Sequence, residues 1–203
     1  DQYSPLDDGN VHSVSLDSQR ALRDADSRAT MLQWLKDDLT ANTMDWTIVV
    51  FHHPPYTMGS HDSDNDLGGI DQPIFAIREE FTPVFEEYGV DLAYAGHSHI
   101  YERSYYINGH TGLSATYNAA TTAELNDSNL PATGQGDEAY TQIARNGMDD
   151  KVVYTVAGNG GQVTVTSPGF PHPANFFSEL ELGSVVIDVN DSRLEASFVD
   201  VDG

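Results

Sequence analysis

The sequence predicts an α/β fold, and three patterns support that prediction. Apolar residues recur at steps of three and four over residues 22–39, which is typical of an amphipathic helix. Residues 47–51 form a short, apolar, β-branched run and residues 90–95 a second such segment, as in strands covered on both faces. A second helical stripe over residues 74–88 includes Pro83, which we expect to kink it. The order of helix, strand, helix and strand is an α/β pattern.

The remaining segments predict an initial strand, a long insertion and a β-rich end. Residues 11–16 alternate between apolar side chains and serines, which favours a strand. Residues 107–150 are rich in Gly, Asn, Thr and Asp and have little periodicity, so we expect a long surface loop. Three apolar segments then predict strands, of which the last two are joined by a turn at Asn190, Asp191 and Ser192. These segments are 152–156, 184–189 and 194–199.

The composition is strongly acidic, and this excludes several classes of function. The 203 residues contain 32 Asp and Glu against 9 Lys and Arg, a formal net charge of −23. Such a surface repels nucleic acid and anionic lipid, so we expect neither as a partner. No run of 18 apolar residues exists to cross a membrane, and the absence of cysteine excludes disulfides and thiolate metal sites. Carboxylates with almost no lysine are typical of proteins from saline surroundings.

Calcium binding is an alternative explanation for the acidity. Residues 62–68 begin like an EF-hand loop, with acidic side chains at alternate positions. However, Leu67 occupies the position where the turn needs glycine, and Pro73 occupies that of the bidentate glutamate. The pattern therefore disfavours an EF-hand, and a calcium-dependent interaction domain remains a less favoured hypothesis.

Histidines follow the two predicted buried strands. His52 and His53 come directly after the first strand, and His97 and His99 come after the second. In α/β folds the carboxyl ends of neighbouring strands meet at one edge of the sheet, which is where binding sites form. Neutral imidazole is a common ligand of Zn, Fe and Mn. The spacing therefore predicts a metal site at this edge.

Two sequence blocks carry a family resemblance. Residues 96–103 read GHSHIYER, and residues 49–56 read VVFHHPPY. They resemble the GHxHxYER and VxxH blocks of the calcineurin-like metallophosphoesterases, in the form found in purple acid phosphatases. The resemblance implies an αββα sandwich of two mixed sheets flanked by helices. It also implies hydrolysis of a phosphate ester by a hydroxide that bridges two metal ions. A phosphomonoester is the expected substrate, and diester, phytate and nucleotide substrates are the alternatives.

The resemblance assigns roles to individual residues. His52 and His97 should bind a divalent ion, and His99 should bind its partner, giving iron with zinc or manganese or a similar pair. His61, nine residues after His52, should protonate the leaving alkoxide. Four more residues are expected to surround the site or to hold its loops in place. They are His53, Tyr56, Tyr101 and Arg103. Because successive side chains of an extended strand point to opposite sides, we expect His53 to point away from His52.

The upstream motifs of the family, which supply Asp and Asn ligands, do not occur before His52. We therefore expect residues 1–203 to form the C-terminal portion of one catalytic domain, completed by the N-terminal half of the same protein. The resemblance further implies a secreted or periplasmic enzyme. The alternative is a non-catalytic acidic module that keeps the fold for binding or structure.

Overall fold

The computed structural model describes residues 3–19, 23–65, 71–142 and 151–203, and it confirms the α/β class. Nine strands occur in these ranges. They are β1 (Tyr3–Asp8), β2 (Val11–Leu16), β3 (Trp46–Val50), β4 (Leu92–Ala95), β5 (Tyr101–Ile107), β6 (Val152–Ala157), β7 (Asn175–Glu179), β8 (Gly183–Asn190) and β9 (Arg193–Asp200). The first seven form one mixed sheet in the order β1-β2-β3-β4-β6-β5-β7, whereas β8 and β9 form a separate hairpin.

Four central strands of the large sheet run parallel. β2 pairs with β3, β3 with β4, and β4 with β6, all in parallel register. β1 is added antiparallel at one end, and β5 and β7 are added antiparallel at the other. The segments that follow the four parallel strands therefore emerge together at one edge of the sheet.

The first predicted helix is confirmed as α1 (Ala25–Ala41). The side chain of Asp24 accepts a hydrogen bond from the Ser27 amide at 2.9 Å and so caps the first turn. The inward stripe buries three apolar side chains against the sheet. They are Met31, Leu35 and Leu39. Leu22, with which the predicted stripe begins, lies outside the described residues.

The second predicted helix is interrupted. It consists of α2 (Gln72–Ala76), a π-helical turn (Ile77–Phe81) and α3 (Thr82–Glu87). Pro83 lies in the first turn of α3, directly after the π-helical turn. Because proline has no amide hydrogen and its ring displaces the carbonyl four residues earlier, the regular bonding pattern fails just before it. The predicted irregularity near Pro83 is therefore confirmed.

Consecutive residues of the central strands pack into two different hydrophobic cores, one on each face of the sheet. On one face Val49, Ala93 and Val152 pack with the three helices in the main core. On the other face Ile48, Leu92, Val153 and Tyr106 form a smaller cluster, against which Ile187 of β8 and Leu194 of β9 pack. The hairpin predicted around Asn190 is thus confirmed, and it covers part of the second face of the sheet.

The structure adds three strands that the sequence patterns do not predict. These strands are β1, β5 and β7, and each lies in the antiparallel part of the sheet. β1 contains Pro5 and is exposed along most of its length, which an edge strand tolerates. The predicted loop over residues 107–150 contains one short 3₁₀ turn (Ser114–Thr116) and α4 (Ala119–Thr122). Residues 143–150 of that loop lie outside the described residues.

Within the described ranges, the helices lack the length and apolar character that crossing a bilayer requires.

Candidate metal centre

The histidines predicted as ligands follow two neighbouring parallel strands. Because Ile48 of β3 pairs with Leu92 of β4, the two strands end at the same edge of the sheet. His52 and His97 each come two residues after the end of their strand. The Gly96 amide donates a hydrogen bond to the His52 carbonyl oxygen at 3.1 Å, which joins the two turns.

The two imidazoles converge on one point. His52 Nε2 lies 3.0 Å from His97 Nδ1. The ligand atoms of His52, His53 and His97 all lie within 4.8 Å of one another. An open cleft of ≈ 400 Å³, lined by His52 and by the ends of β2, β3 and β4, adjoins this group. Two imidazole nitrogens in this arrangement can donate their lone pairs to one cation.

A tight turn aims His97 at His52. His97 has a φ of +63°, in the left-handed region that residues with a Cβ rarely adopt. The Ser98 amide donates to the Gly96 carbonyl oxygen at 2.7 Å and closes the turn. Strained backbone of this kind persists where the surrounding structure holds it, and it is concentrated at functional sites.

Asp71 connects His97 with His61. Its Oδ1 atom lies 2.8 Å from His97 Nε2 and 2.8 Å from His61 Nδ1. The two imidazole rings stack with centroids 3.8 Å apart. An ionised carboxylate only accepts hydrogen bonds, so both rings present an N–H to Asp71. His97 therefore keeps its Nδ1 lone pair on the side of His52, as a metal ligand requires.

Asp71 is a site residue that sequence reasoning missed. It stands directly before Gln72 and Pro73, where an acidic residue is typical of a helix cap. In the structure its carboxylate makes no capping hydrogen bond. Only the packing of α2 against the turns after β3 and β4 reveals its contact with the histidines.

His99 contributes backbone contacts beside the site. Its amide donates to Ser60 Oγ at 2.9 Å, and its carbonyl oxygen accepts from the Thr164 amide at 3.2 Å. Among the described residues, the groups whose ligand atoms converge are His52 with His53 and His97, and His61 with Asp71 and His97. The role of His99 as ligand of a second cation therefore stays a prediction.

The electrostatics of the cluster favour neutral imidazoles. Burial lowers the pKa of His52, and the neighbouring His61 and His99 lower it further. Burial also lowers the pKa of His97, with His61 and His52 adding to the effect, while the hydrogen bond to Asp71 opposes it. Neutral imidazole is the form that binds metal, so this arrangement keeps both side chains ready as ligands.

His53 lies closer to the ligands than strand alternation predicts. Its buried ring is centred 4.8 Å from that of His52 and 4.5 Å from that of His97. Its Nδ1 atom lies 2.8 Å from Ser18 Oγ, and this hydroxyl oxygen also accepts from the His52 and His53 amides. The chain turns immediately after β3, so the expectation that His53 points away from His52 is wrong. Ser18, two residues after β2, holds this turn in place.

The three other surrounding residues make structural contacts. Tyr56 is buried, its hydroxyl donates to the His110 carbonyl oxygen, and burial raises its pKa above the usual range. The Tyr101 ring stacks on Phe198 of the hairpin with centroids 4.2 Å apart. The Arg103 guanidinium lies 4.8 Å from the centre of the Phe176 ring. These contacts connect the loop after β3 to the segment after β5, and β5 to the hairpin and to β7.

The site does not support the EF-hand alternative. The carboxylate of Asp64 accepts hydrogen bonds from the Ser114 amide at 3.0 Å and from the Ser114 hydroxyl. It therefore joins two loops of the fold. Asp66, Leu67 and Gly68 of the proposed loop lie outside the described residues.

Comparison with known proteins confirms the family resemblance. Residues 3–101 match the calcineurin-like phosphoesterase family. Purple acid phosphatase 23 of Arabidopsis thaliana is 30% identical over 112 residues, which cover 54% of this chain and 22% of the relative. An uncharacterized protein of Mycobacterium tuberculosis is 33% identical over 84 residues, which cover 39% of this chain and 14% of that protein. The chain thus spans about a fifth or less of the length of these relatives.

Solved structures confirm the fold. Purple acid phosphatase PPD1 from yellow lupin (Lupinus luteus) seeds superposes with a TM-score of 0.68 at 17% identity, covering 98% of this chain and 30% of that chain. GAP50, described as the anchor in the inner membrane complex of Plasmodium, superposes with a TM-score of 0.58 at 14% identity. The large mixed sheet with its few helices is therefore that of the metallophosphoesterase fold.

Proposed function

We propose that this protein hydrolyses a phosphate ester, because residues 3–101 match the calcineurin-like phosphoesterase family. The expected substrate is a phosphomonoester. The observation that carries the proposal is the convergence of His52 Nε2 and His97 Nδ1 at 3.0 Å beside the hydrogen-bonded pair of His61 and Asp71. This convergence supports a site in which metal ligands and a proton donor lie next to each other.

In this proposal His52 and His97 hold a divalent cation, and His99 contributes to a second cation. Iron with zinc or manganese is the expected pair, and imidazole nitrogen suits all three. When bound, such ions polarise phosphoryl oxygens and lower the pKa of a coordinated water. The chain's own task is to present neutral imidazoles in a fixed orientation, for which Asp71 and Ser18 provide the supporting hydrogen bonds.

His61 acts as the proton donor to the leaving group. Its Nδ1–H is held by Asp71, so Nε2 is the nitrogen that faces substrate and transfers a proton. Stacking on His97 keeps the His61 ring next to the proposed ligands. A positioned imidazole can act as a general acid toward the leaving group.

The remaining ligands are proposed to come from the upstream part of the same protein. The relatives are longer than this chain, and the described donors are grouped around His97. A secreted or periplasmic location in saline surroundings is part of the same proposal, and the net charge of −23 supports it.

A second candidate is a non-catalytic structural or binding module. The fold does not separate the two, because GAP50, an anchor by its description, superposes over 98% of this chain. The two candidates differ in what they require of His97, since only the enzyme needs a histidine there.

The metal site is tested by calorimetric titration of Zn²⁺ into the chain and its variants. We expect His97→Ala to weaken binding more than about 100-fold, and Asp71→Asn by about 10- to 100-fold because the orientation of the His97 ring is lost. His12→Gln is the control. His12 is also hydrogen-bonded to carboxylates, those of Asp7 and Asp38, but it pairs with the start of β3 at the opposite edge of the sheet. Equal affinity in all three variants would rule out this site.

Activity is tested with p-nitrophenyl phosphate, on the chain alone and on the chain joined to its upstream coding segment. We expect metal-dependent hydrolysis in the joined protein and its loss in His97→Ala. A joined protein that binds no transition metal and hydrolyses no phosphate ester contradicts the proposal and favours the structural module.

A further inference from the structure

Three buried polar side chains connect the loop of His61 to the loop of His97. They are Thr57, Ser98 and Glu102, each 0% exposed. Thr57 Oγ1 lies 2.5 Å from Glu102 Oε2 and 3.0 Å from Ser98 Oγ. Ser98 Oγ in turn accepts from the His61 amide at 3.5 Å. Ser98 stands between His97 and His99, so this chain of hydrogen bonds joins the proposed proton donor to the proposed ligands.

Thr57 is the central member of this chain. Its hydroxyl has one hydrogen, which it can donate to Glu102 Oε2 or to Ser98 Oγ. Thr57 Oγ1 also accepts from the Gly59 amide at 3.2 Å, and Ser98 Oγ accepts from the His61 amide. Loss of the Thr57 hydroxyl consequently removes the contact of Ser98 with both Thr57 and, through it, Glu102.

The surroundings leave Ser98 little freedom to move. A Cβ placed on Gly59 would lie 2.3 Å from Ser98 Oγ, and one on Gly158 would lie 2.1 Å from the Ser98 carbonyl oxygen. The loop of His61 is also closed on itself. The Ser63 amide donates to the Thr57 carbonyl oxygen at 2.9 Å, and the Thr57 amide donates to Ser63 Oγ at 3.2 Å. Thr57 is thus both an end of this loop and its connection to Ser98.

We propose that Thr57, held by Glu102, is a positioning residue that sets the placement of His61 relative to His97. This inference rests on the proposed role of His61 as proton donor. Loss of the Thr57 hydroxyl removes one of the hydrogen bonds that hold the loop of residues 57–63 against Ser98, while the bond of the His99 amide to Ser60 and the contact between Asp71 and His61 remain. His61 then spends less time where it can protonate a leaving group.

The first experiment compares Thr57→Val with Thr57→Ser in the metal-free chain. Valine keeps the shape of threonine without the hydroxyl, whereas serine keeps the hydroxyl. We expect amide hydrogen exchange at His61, followed by NMR, to become about tenfold faster in Thr57→Val and to stay unchanged in Thr57→Ser. Unchanged exchange in Thr57→Val overturns the proposal. If Thr57→Val does not fold, Ser98→Ala breaks the same connection and the same comparison applies.

The second experiment uses the leaving group to separate positioning from general loss of structure. Glycerol phosphate releases an alkoxide that needs a proton, whereas p-nitrophenyl phosphate releases a stable phenolate that does not. In the protein joined to its upstream segment, we expect Thr57→Val to lower kcat for glycerol phosphate about tenfold or more and to leave that for p-nitrophenyl phosphate nearly unchanged. An equal decrease for both esters overturns the proposal.

The two failures can be told apart. Wild-type protein that hydrolyses neither ester contradicts the proposed function, and the exchange experiment still decides whether Thr57 positions His61. If the wild-type protein hydrolyses both esters and Thr57→Val does not change the preference between them, the positioning role of Thr57 is contradicted. The proposed function is not affected by that result.

Discussion

His172 provides a direct test of how the burial of a histidine affects the stability of this protein at different pH values. Its imidazole is completely buried, its Nδ1 atom accepts from the Ala174 amide at 3.1 Å, and its Nε2 atom has no hydrogen-bond partner among the described residues. Burial lowers the pKa of His172 to about 3, with Arg78 and His110 adding to the effect and Asp64 opposing it. The informative change is His172→Asn, because an asparagine oxygen can replace Nδ1 as acceptor while the titratable ring is removed.

The expected effect follows from proton linkage. The folded pKa of about 3 lies below the ordinary value of about 6.5, so between these values the unfolded chain binds one more proton than the folded chain. Wild-type protein therefore loses stability through His172 as the pH falls below about 6.5, at about 1.4 kcal/mol per pH unit. By pH 5 this loss of stability reaches about 2 kcal/mol in the wild-type protein, and it does not occur in the variant.

The assay is urea unfolding, followed by tryptophan fluorescence and circular dichroism, at half-unit steps from pH 7.5 to pH 5. At pH 7.5 the variant is expected to be less stable by about 1–2 kcal/mol, because the smaller side chain leaves a cavity. The gap should close, or reverse, as the pH falls. Other titrating groups affect both proteins alike, so parallel stability curves for the two proteins would refute the reasoning.

Two further predictions concern packing around the site. Gly158→Ala should lower the free energy of unfolding by about 3 kcal/mol, because its Cβ would meet the Ser98 carbonyl oxygen at 2.1 Å, whereas Gly160→Ala meets nothing closer than 3.7 Å and should change it little. Chemical denaturation of the two variants checks this, and equal stabilities would contradict it. Phe198→Leu removes the stacking on Tyr101 and should cost about 1 kcal/mol, with unchanged Zn²⁺ affinity by calorimetry. A weakened Zn²⁺ affinity would show that the hairpin contributes to the metal site.

The sequence predicts the framework of the site well for a simple reason. Strands covered on both faces must be apolar, and turns at their ends must be polar, so β3 and β4 and the histidines after them are visible as a pattern. The parallel pairing of β3 with β4 then brings His52 and His97 together. The antiparallel strands β1, β5 and β7 escape prediction because each carries polar or charged side chains, as in the Tyr101–Ile107 segment, which interrupt the apolar pattern of a buried strand.

The supporting residues of the site are not visible in the sequence. Asp71 resembles a helix cap, and Thr57 and Glu102 lie 45 residues apart with no pattern to relate them. Their roles depend on contacts between distant segments. His53 shows the same limit, since strand alternation directs it away from His52 and the turn after β3 brings it back.

The sequence by itself therefore determined the α/β class, the two strand ends that carry the histidines and the resemblance to the metallophosphoesterases. These features depend on local periodicity and on short motifs, which a linear chain displays directly. Tertiary structure alone decided that Asp71 joins His61 to His97, that a buried chain from Glu102 through Thr57 reaches Ser98, and that the hairpin β8–β9 covers the second face of the sheet. Those features depend on side chains from separate segments meeting at hydrogen-bond distance, and only the packed fold sets such distances.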